Sequence, residues 1–180
     1  GFVGNLLVPK SIDSGPSGPL GEALLVNAAL LGLFAIQHSV MARPAFKAWW
    51  TRMVPQSVER STYVLISSAL LALLFWKWQA MPGSTWNVEN QLGRLSLNVL
   101  FWLGWLIALW STFMVNHFEL FGLRQVYLRL RGVAYTPVRF NANALYRFVR
   151  HPLMLGFLIA FWATPHMTQG HLLFSMAMTA

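Results

Sequence analysis

Long apolar runs alternate with short polar stretches along the chain. Residues 20–37 contain one charge, Glu22; residues 63–81 contain one, Lys77; and residues 97–115 contain none. A helix that crosses a bilayer needs about 20 predominantly apolar residues. We therefore predict three membrane-spanning helices in these three runs.

A fourth apolar run, Leu153–Ala163, is shorter, and it is followed by Pro165 and by a second apolar start at Leu172. This run is too short to cross a bilayer alone, because a helix rises only about 1.5 Å per residue. It either extends backward into residues 148–150 or forms a tight hairpin with a helix that begins near Gly170. The predicted fold is therefore all-α, a polytopic transmembrane helical bundle with about five spans.

The composition supports a membrane protein over a soluble one. Only 10% of the 180 residues are charged and 56% are hydrophobic, whereas a soluble domain carries about 25% charged residues. The net charge of +8 would suggest nucleic acid in a soluble protein, but its clustering at loops points to a membrane face and to no nucleic-acid partner. Cysteine is absent, which excludes disulfides, thiolate metal sites and a catalytic cysteine.

Basic residues cluster in two alternate loops and so predict the orientation of the spans. Short cytoplasmic loops collect Lys and Arg. Ten of the thirteen lie in these loops, four between the first two spans and six between the third and fourth: Arg43, Lys47, Arg52, Arg60, Arg124, Arg129, Arg131, Arg139, Arg147 and Arg150. We predict that both loops face the cytoplasm of a bacterial inner membrane, and that residues 1–19, 82–96 and 165–170 face the opposite side.

The loop 116–152 is long for a connection and is a candidate functional element, a cytoplasmic loop on the cofactor side. Residues 119–131 place apolar and basic side chains at helical spacing, which predicts a helix at the membrane interface that ends at Gly132. We interpret residues 1–180 as a single transmembrane domain. Because the chain begins at Gly1 and stops inside an apolar run, we expect this domain to extend beyond both ends.

Three histidines lie at the same membrane boundary in this topology. His38 follows the first span, His117 follows the third and His151 precedes the fourth. Interfacial histidines are often merely hydrated, but three at one level favour a shared site.

The stretch Arg150–Gly156 concentrates the most chemistry in the chain. Pro152 suits the first turn of a helix, and the free amides at Leu153–Leu155, together with the helix dipole, favour an anion. Arg150 can hold a carboxylate in a forked geometry, and Gly156 allows close approach of a ligand or a neighbouring helix. The alternative is an interfacial arginine on lipid phosphate followed by a proline-initiated helix.

The motif Arg150-His151-Pro152-x-x-x-Gly156 resembles the Arg-His-Pro-x-Tyr-x-Gly signature of the isoprenylcysteine carboxyl methyltransferase-like membrane proteins, with Met154 where that family has Tyr. Most of residues 20–165 resemble the NnrU-like branch of this family and, within it, the methanethiol S-methyltransferases. The segments that carry this likeness are Gln37-His38-Ser39, Arg43-Pro44, Glu59-Arg60 and residues 116–123.

The resemblance implies a membrane methyltransferase that uses S-adenosylmethionine and converts methanethiol to dimethyl sulfide at the cytoplasmic boundary. It implies that Arg150 anchors the cofactor carboxylate, with His151, Pro152, the backbone at Leu153–Leu155 and Gly156 shaping the pocket. Methyl transfer from a sulfonium needs no metal. The attacking form of the acceptor is the thiolate, so we expect His38 or His117 to remove the thiol proton.

Two other classes of function remain open at this point. A haem-binding or nitrogen-oxide-related NnrU-like protein would use His38 and His117 as axial ligands. The other class is a non-catalytic scaffold or transporter. Charges are nearly absent from the spans, which argues against an ion or proton pathway. The acceptor also stays open, since a lipid-modified cysteine, a phospholipid amine and a small thiol all fit a pocket that opens toward the bilayer. The oligomeric state is not indicated.

Overall fold

The computed structural model describes residues 1–136, 146 and 148–180, and this part of the chain is mostly helical. Its helices and strands, in chain order, are α1 Leu20–Ala42, α2 Pro44–Trp50, α3 Gln56–Lys77, β1 Ser84–Asn87, α4 Gln91–Met114, α5 His117–Leu120, α6 Leu123–Leu130, α7 Pro152–Trp162, β2 His166–Thr168 and α8 Gln169–Thr179.

Local sequence signals explain where several of these helices begin. Pro44 and Pro152 occupy the first turns of α2 and α7, where a missing amide hydrogen costs nothing. The Asn90 side chain caps α4 by accepting hydrogen bonds from the amides of Leu92 and Gly93, and the Thr168 hydroxyl oxygen accepts from the amide of His171 at the start of α8. Each cap satisfies an amide that the helix itself leaves unpaired.

The prediction of three spanning helices is confirmed. Within the described residues, α1, α3 and α4 are long and apolar enough to cross a membrane, and most of their surface is exposed in the isolated chain. Apolar side chains left exposed along such helices face lipid instead of water. The chain is therefore an integral membrane protein with an α-helical bundle.

Of the two arrangements predicted for the fourth apolar run, the structure shows the hairpin with the next helix. Helix α7 has 11 residues and starts at Pro152, so the backward extension into residues 148–150 is wrong. Helix α8 starts at Gln169 and also has 11 residues. Proline at position 152 explains the boundary, because the preceding residue is disfavoured in the helical region.

Helices α4 and α7 pack through a pair of small-residue motifs. A Cβ atom at Gly156 would lie 2.6 Å from the Ala108 nitrogen, and one at Gly104 would lie 2.6 Å from the Ala160 nitrogen. The pairing of 104 with 160 and of 108 with 156 shows that the helices run antiparallel. Small residues at every fourth position allow helix backbones in membranes to approach this closely, so the structure assigns the space at Gly156 to a neighbouring helix.

We expect Gly156→Val to destabilise the α4–α7 pair by roughly 2 kcal/mol or more, because overpacking forces backbone shifts. The measurement is the thermal unfolding midpoint in detergent. The matched control is Gly32→Ala in α1, where an added Cβ meets nothing within 4 Å and alanine is the better helix former by about 1 kcal/mol. Equal midpoints for the two variants would contradict the packing argument.

Residues 1–19, predicted only as an outer loop, contribute to an apolar core among the described residues. Phe2, Val3 and Ile12 are buried there against Trp78 and Phe174. The indole nitrogen of Trp78 donates to the Ile12 carbonyl at 3.1 Å. This core fixes the end of the bundle where α1 begins and α3 ends, which we call the outer end.

Strands β1 and β2 were not predicted and modify the all-α expectation locally. They pair antiparallel at the outer end, with Trp86 opposite Met167 and Asn87 opposite His166. The two strands lie almost eighty positions apart in sequence, so their pairing depends on α4 and α7 bringing their ends together.

At the opposite end, which we call the inner end, the structure differs from the prediction in two ways. Helix α2 was predicted only as a basic loop. The interfacial helix predicted for residues 119–131 is divided into α5 and α6 by Gly122, whose φ is 76°. A Cβ at Gly122 would also lie 2.6 Å from the Ser61 nitrogen, so α3 passes directly behind this break. The predicted end at Gly132, with φ 68°, is confirmed.

Candidate active site at the inner end of the bundle

The alternation of helix directions brings His38, His117 and His151 to the inner end. His38 lies in the last turns of α1, His117 opens α5 directly after α4, and His151 precedes α7. Extending the antiparallel pairing of α4 with α7 by one residue pair at a time places position 151 level with Phe113. The described contacts of His38 and His117 are with different elements, so these two rings share an end of the bundle without a direct contact between them in the described part of the chain.

His38 is exposed and is held by α3. The Tyr63 hydroxyl lies 2.9 Å from Nδ1 and 3.1 Å from Nε2 of His38, and Phe34 stacks on the imidazole at 5.5 Å between ring centroids. A single hydroxyl hydrogen serves one ring nitrogen at a time. The Tyr63 contact therefore positions the ring without selecting one tautomer.

His117 is half-buried, and its tautomer follows from its neighbours. The Thr112 hydroxyl donates to the Leu109 carbonyl at 2.7 Å, which uses its only hydrogen. The same oxygen lies 2.9 Å from Nδ1 of His117, and while the hydroxyl hydrogen stays on Leu109, Nδ1 is the donor in this contact. In the neutral ring, Nε2 is then the nitrogen with a free lone pair, which is the property a general base requires.

Aromatic rings surround His117 on several sides. Phe113 stacks on it with 4.6 Å between centroids and an interplanar angle of 11°, and the centroids of Phe121 and Phe118 lie 4.7 Å and 5.9 Å away. Such a wall excludes water from one side of the imidazole. It also presents aromatic faces that attract a cation within about 6 Å.

Glu119 is the buried carboxylate that organises this end, with 8% of its surface exposed. Its oxygens accept from Arg124 at 3.2 Å, from Gln125 at 2.8 Å and from the Tyr135 hydroxyl, and Arg60 of α3 lies 3.8 Å from Oε1. Buried charges are stable only when they are paired and hydrogen-bonded. Glu119 thereby ties α3, α5, α6 and the segment after α6 together.

The hydrogen bond to Glu119 raises the pKa of the Tyr135 hydroxyl, with further contributions from burial and from the negative charge of the carboxylate. A raised folded-state pKa means that this contact contributes fully below the ordinary tyrosine pKa of about 10. The contribution is lost as the pH rises through the raised value. The contact is therefore complete at neutral pH.

A cavity of about 580 Å³ opens between the start of α3 and α6. This volume lies within the range of small-molecule sites. Its polar wall includes Glu59, Arg60, Gln125, Arg129 and Tyr135. Three of these residues, Arg60, Gln125 and Tyr135, also contact Glu119, so the same carboxylate shapes the cavity.

The predicted cofactor residues lie at the start of α7. Arg150 and His151 are exposed, Pro152 and Gly156 are buried, and Leu153 and Leu155 are partly buried. His151 precedes the helix, and its side chain makes no capping hydrogen bond to the first-turn amides. Residues 137–145 and 147 of the predicted cofactor-side loop lie outside the described residues.

Glu119, Tyr63, Thr112 and Gln125 were not predicted as site residues. A signal for Glu119 was available, since it is one of only five acidic residues and sits in a basic loop, where an acid finds cationic partners. Thr112 and Tyr63 offered none, because their contacts depend on how helices pack. Among the described residues, no group of three or more His, Asp or Glu side chains could hold a metal ion.

The chain is similar in sequence to several known proteins. The profile described as NnrU protein matches residues 26–178. The methanethiol S-methyltransferase of Mycobacterium tuberculosis is 60% identical over 99% of this chain and 73% of its own length. The methanethiol S-methyltransferase of Crocosphaera subtropica is 53% identical over 99% of this chain and 70% of its own length.

A more distant relative is nurim of Rattus norvegicus, 30% identical over 87% of this chain and 63% of its own length. No solved structure matches the chain. The relationship that the motifs predicted is confirmed, and the chain belongs to the NnrU family of membrane proteins, where its relatives include proteins named methanethiol S-methyltransferase.

Proposed function

We propose that this protein is a membrane thiol S-methyltransferase that uses S-adenosylmethionine and converts methanethiol to dimethyl sulfide at the cytoplasmic boundary. The relatives named methanethiol S-methyltransferase support the reaction class and the acceptor. The observation that carries the proposal in this chain is the free Nε2 of His117, set by Thr112 and bordered by phenylalanine rings.

In this proposal the base is His117. A thiol must lose its proton to become a strong nucleophile, and Nε2 of His117 accepts that proton while Nδ1–H stays bonded to Thr112. His38, held by Tyr63 at the same end of the bundle, is the second polar group that we assign to the acceptor side. General-base assistance of this kind contributes roughly 10²–10⁴-fold to a rate.

The aromatic wall around His117 supplies the second element of the mechanism. When bound, S-adenosylmethionine supplies an electrophilic methyl group on a positively charged sulfur. Phe113 and Phe121 favour a cation through their ring faces, and they keep water away from the thiolate. Apolar surface that is open to the bilayer suits a small volatile thiol that dissolves in lipid.

The donor's carboxylate is assigned to Arg150 and the start of α7. Arg150 is exposed at the inner end, and the helix that follows begins without a side-chain cap. An arginine and uncapped first-turn amides together favour a carboxylate. Gly156 contributes indirectly, because its contact with α4 places Leu153 and Leu155 level with Ser111 and Leu109, within about one helical turn of Phe113.

We expect Arg150→Ala to weaken binding of S-adenosylhomocysteine to the full-length protein by about tenfold, since a charge-assisted hydrogen bond is worth about 1.5–3 kcal/mol. Arg94→Ala at the outer end of α4 is the matched control and should bind as the parent does. The measurement is calorimetric titration in detergent. Unchanged affinity for Arg150→Ala would remove the anchor role.

The function itself is tested with membranes that contain the full-length protein, incubated with methyl-labelled S-adenosylmethionine and methanethiol. Headspace and lipid extract are analysed separately. Label in headspace dimethyl sulfide supports the proposal. Label in lipid alone would show a lipid acceptor, and no label in either fraction would overturn the methyltransferase assignment for this chain.

A further inference from the structure

The cavity beside α3 has no part in the proposed methyl transfer. Its walls come from the start of α3, from α6 and from residues 133–135, whereas the proposed reaction uses α4, α5 and the start of α7. None of His38, His117 and Arg150 lines it. Its described lining therefore differs from the residues proposed for methyl transfer, and it indicates the chemistry of the ligand that fits.

Positive charge lies on two sides of this cavity. Arg129 is exposed. Arg60 donates from one nitrogen to the Glu119 backbone carbonyl at 3.0 Å, so the other N–H groups of its guanidinium can donate to a ligand. Pro55 and Ser57 at the start of α3 complete this side, and α3 begins without a side-chain cap. Together these groups favour an anion such as a phosphate.

Negative charge lies in the same wall. Glu59 lines the cavity, and in the described part of the chain it forms an ion pair with Lys47 at 3.6 Å. A partly exposed ion pair of this kind is worth little. Gln125 donates through Nε2 to Glu119 at 2.8 Å, which fixes this part of the wall. The Glu59 carboxylate can therefore accept hydrogen bonds from a ligand with positively charged N–H groups.

The cavity lies at the depth where lipid headgroups are found. Gln56 and Ser57, which line it, form the first turn of the spanning helix α3. The neighbouring helix α2 carries Trp49 and Trp50, residues typical of the membrane–water interface. Basic pockets at the ends of transmembrane helices bind lipid headgroups.

We propose that this cavity binds the headgroup of an aminophospholipid, with the phosphate on Arg129 and Arg60 and the primary ammonium on Glu59. The primary ammonium carries three N–H donors, whereas the trimethylated ammonium of a choline lipid has none and cannot donate a hydrogen bond to the Glu59 carboxylate. The site therefore distinguishes phosphatidylethanolamine from phosphatidylcholine by the presence of N–H groups. Glu119, through Arg60, Gln125 and Tyr135, holds the wall in shape.

The test is a titration of the purified full-length protein in detergent with dioleoylphosphatidylethanolamine or dioleoylphosphatidylcholine, with bound lipid read by native mass spectrometry. We expect the ethanolamine lipid to bind about tenfold more tightly, as one charge-assisted hydrogen bond allows. Arg129→Ala should lower its affinity about tenfold, and Glu59→Ala should reduce the preference between the two lipids. The matched control is Arg131→Ala, which removes an arginine of the same segment that contacts Tyr127 and does not line the cavity.

Equal affinity of the parent protein for the two lipids, or an equal loss in Arg129→Ala and Arg131→Ala, would overturn the proposal.

Two competitors identify the source of the headgroup chemistry. Free phosphoethanolamine that displaces the lipid at equal concentration would assign the site to a soluble ligand, and displacement by S-adenosylhomocysteine would assign it to the methyl donor; either result overturns the lipid assignment. Unfolding midpoints measured for each variant separate a lost contact from a lost fold.

Discussion

Replacing His117 by alanine is expected to lower kcat for thiol methylation by about 10²–10⁴-fold, the contribution of a general base. The physical reason is the single free lone pair at Nε2, which exists because Thr112 gives its hydrogen to Leu109 and receives one from Nδ1. KM for the methyl donor should change little, because the proposed donor contacts are on α7. The measurement is dimethyl sulfide formation at saturating donor.

Two further variants make this result specific. Thr112→Val removes the oxygen that fixes the tautomer while leaving the base in place, so we expect a smaller loss, on the order of tenfold. His166→Ala at the exposed outer end should retain full activity. If His117→Ala kept the parent kcat while His38→Ala lost it, the base would be His38 and the tautomer argument would be wrong.

Replacing Glu119 by alanine is expected to destabilise the inner end by about 3 kcal/mol, since removing one partner leaves buried charge uncompensated. Glu119 is 8% exposed and is contacted by Arg60, Arg124, Gln125 and Tyr135. The two arginines keep some access to solvent, which places the effect at the lower end of the range for buried pairs. The unfolding midpoint and the rate of proteolysis in residues 123–136 report it.

Glu89→Ala is the matched control for Glu119→Ala, since Glu89 is an exposed acid at the outer end. Its unfolding midpoint should equal that of the parent. Glu119→Gln keeps an acceptor and the shape of the side chain but removes the charge, so its midpoint should lie between those of the parent and the alanine variant. Alanine at both positions giving the same midpoint would show that Glu119 does not hold this end together.

The spans and the clustering of chemistry at one end were predictable because they follow from local physics. Uncharged runs of sufficient length, such as residues 97–115, cannot be anything but buried in lipid or protein. Pro152 marks a helix start by its missing amide hydrogen, and Gly132 marks a helix end through its positive φ. Alternating helix directions then bring His38, His117 and His151 to one end without any knowledge of packing.

Features that depend on contacts between residues distant in sequence could not be predicted from local sequence signals. The pairing of Trp86 with Met167 and the burial of Phe2 against Phe174 arise only after the helices are assembled. The role of Glu119 depends on partners from α3 and α6, and the free Nε2 of His117 depends on a hydroxyl five residues earlier that bonds backward along its own helix. Gly156 carried two interpretations in the sequence, and only the contact with Ala108 decides between them.

We propose that His38 and His151 lie together on the cytoplasmic side of the membrane. Residues 1–180 contain no cysteine, so single cysteines at positions 38, 151 and 166 can be introduced into this part of the protein and labelled by a membrane-impermeant maleimide in intact cells and in inverted vesicles. We predict that positions 38 and 151 react only in inverted vesicles and position 166 only in intact cells. Reaction of positions 38 and 151 from opposite sides would contradict the shared site and, with it, the proposed enzyme.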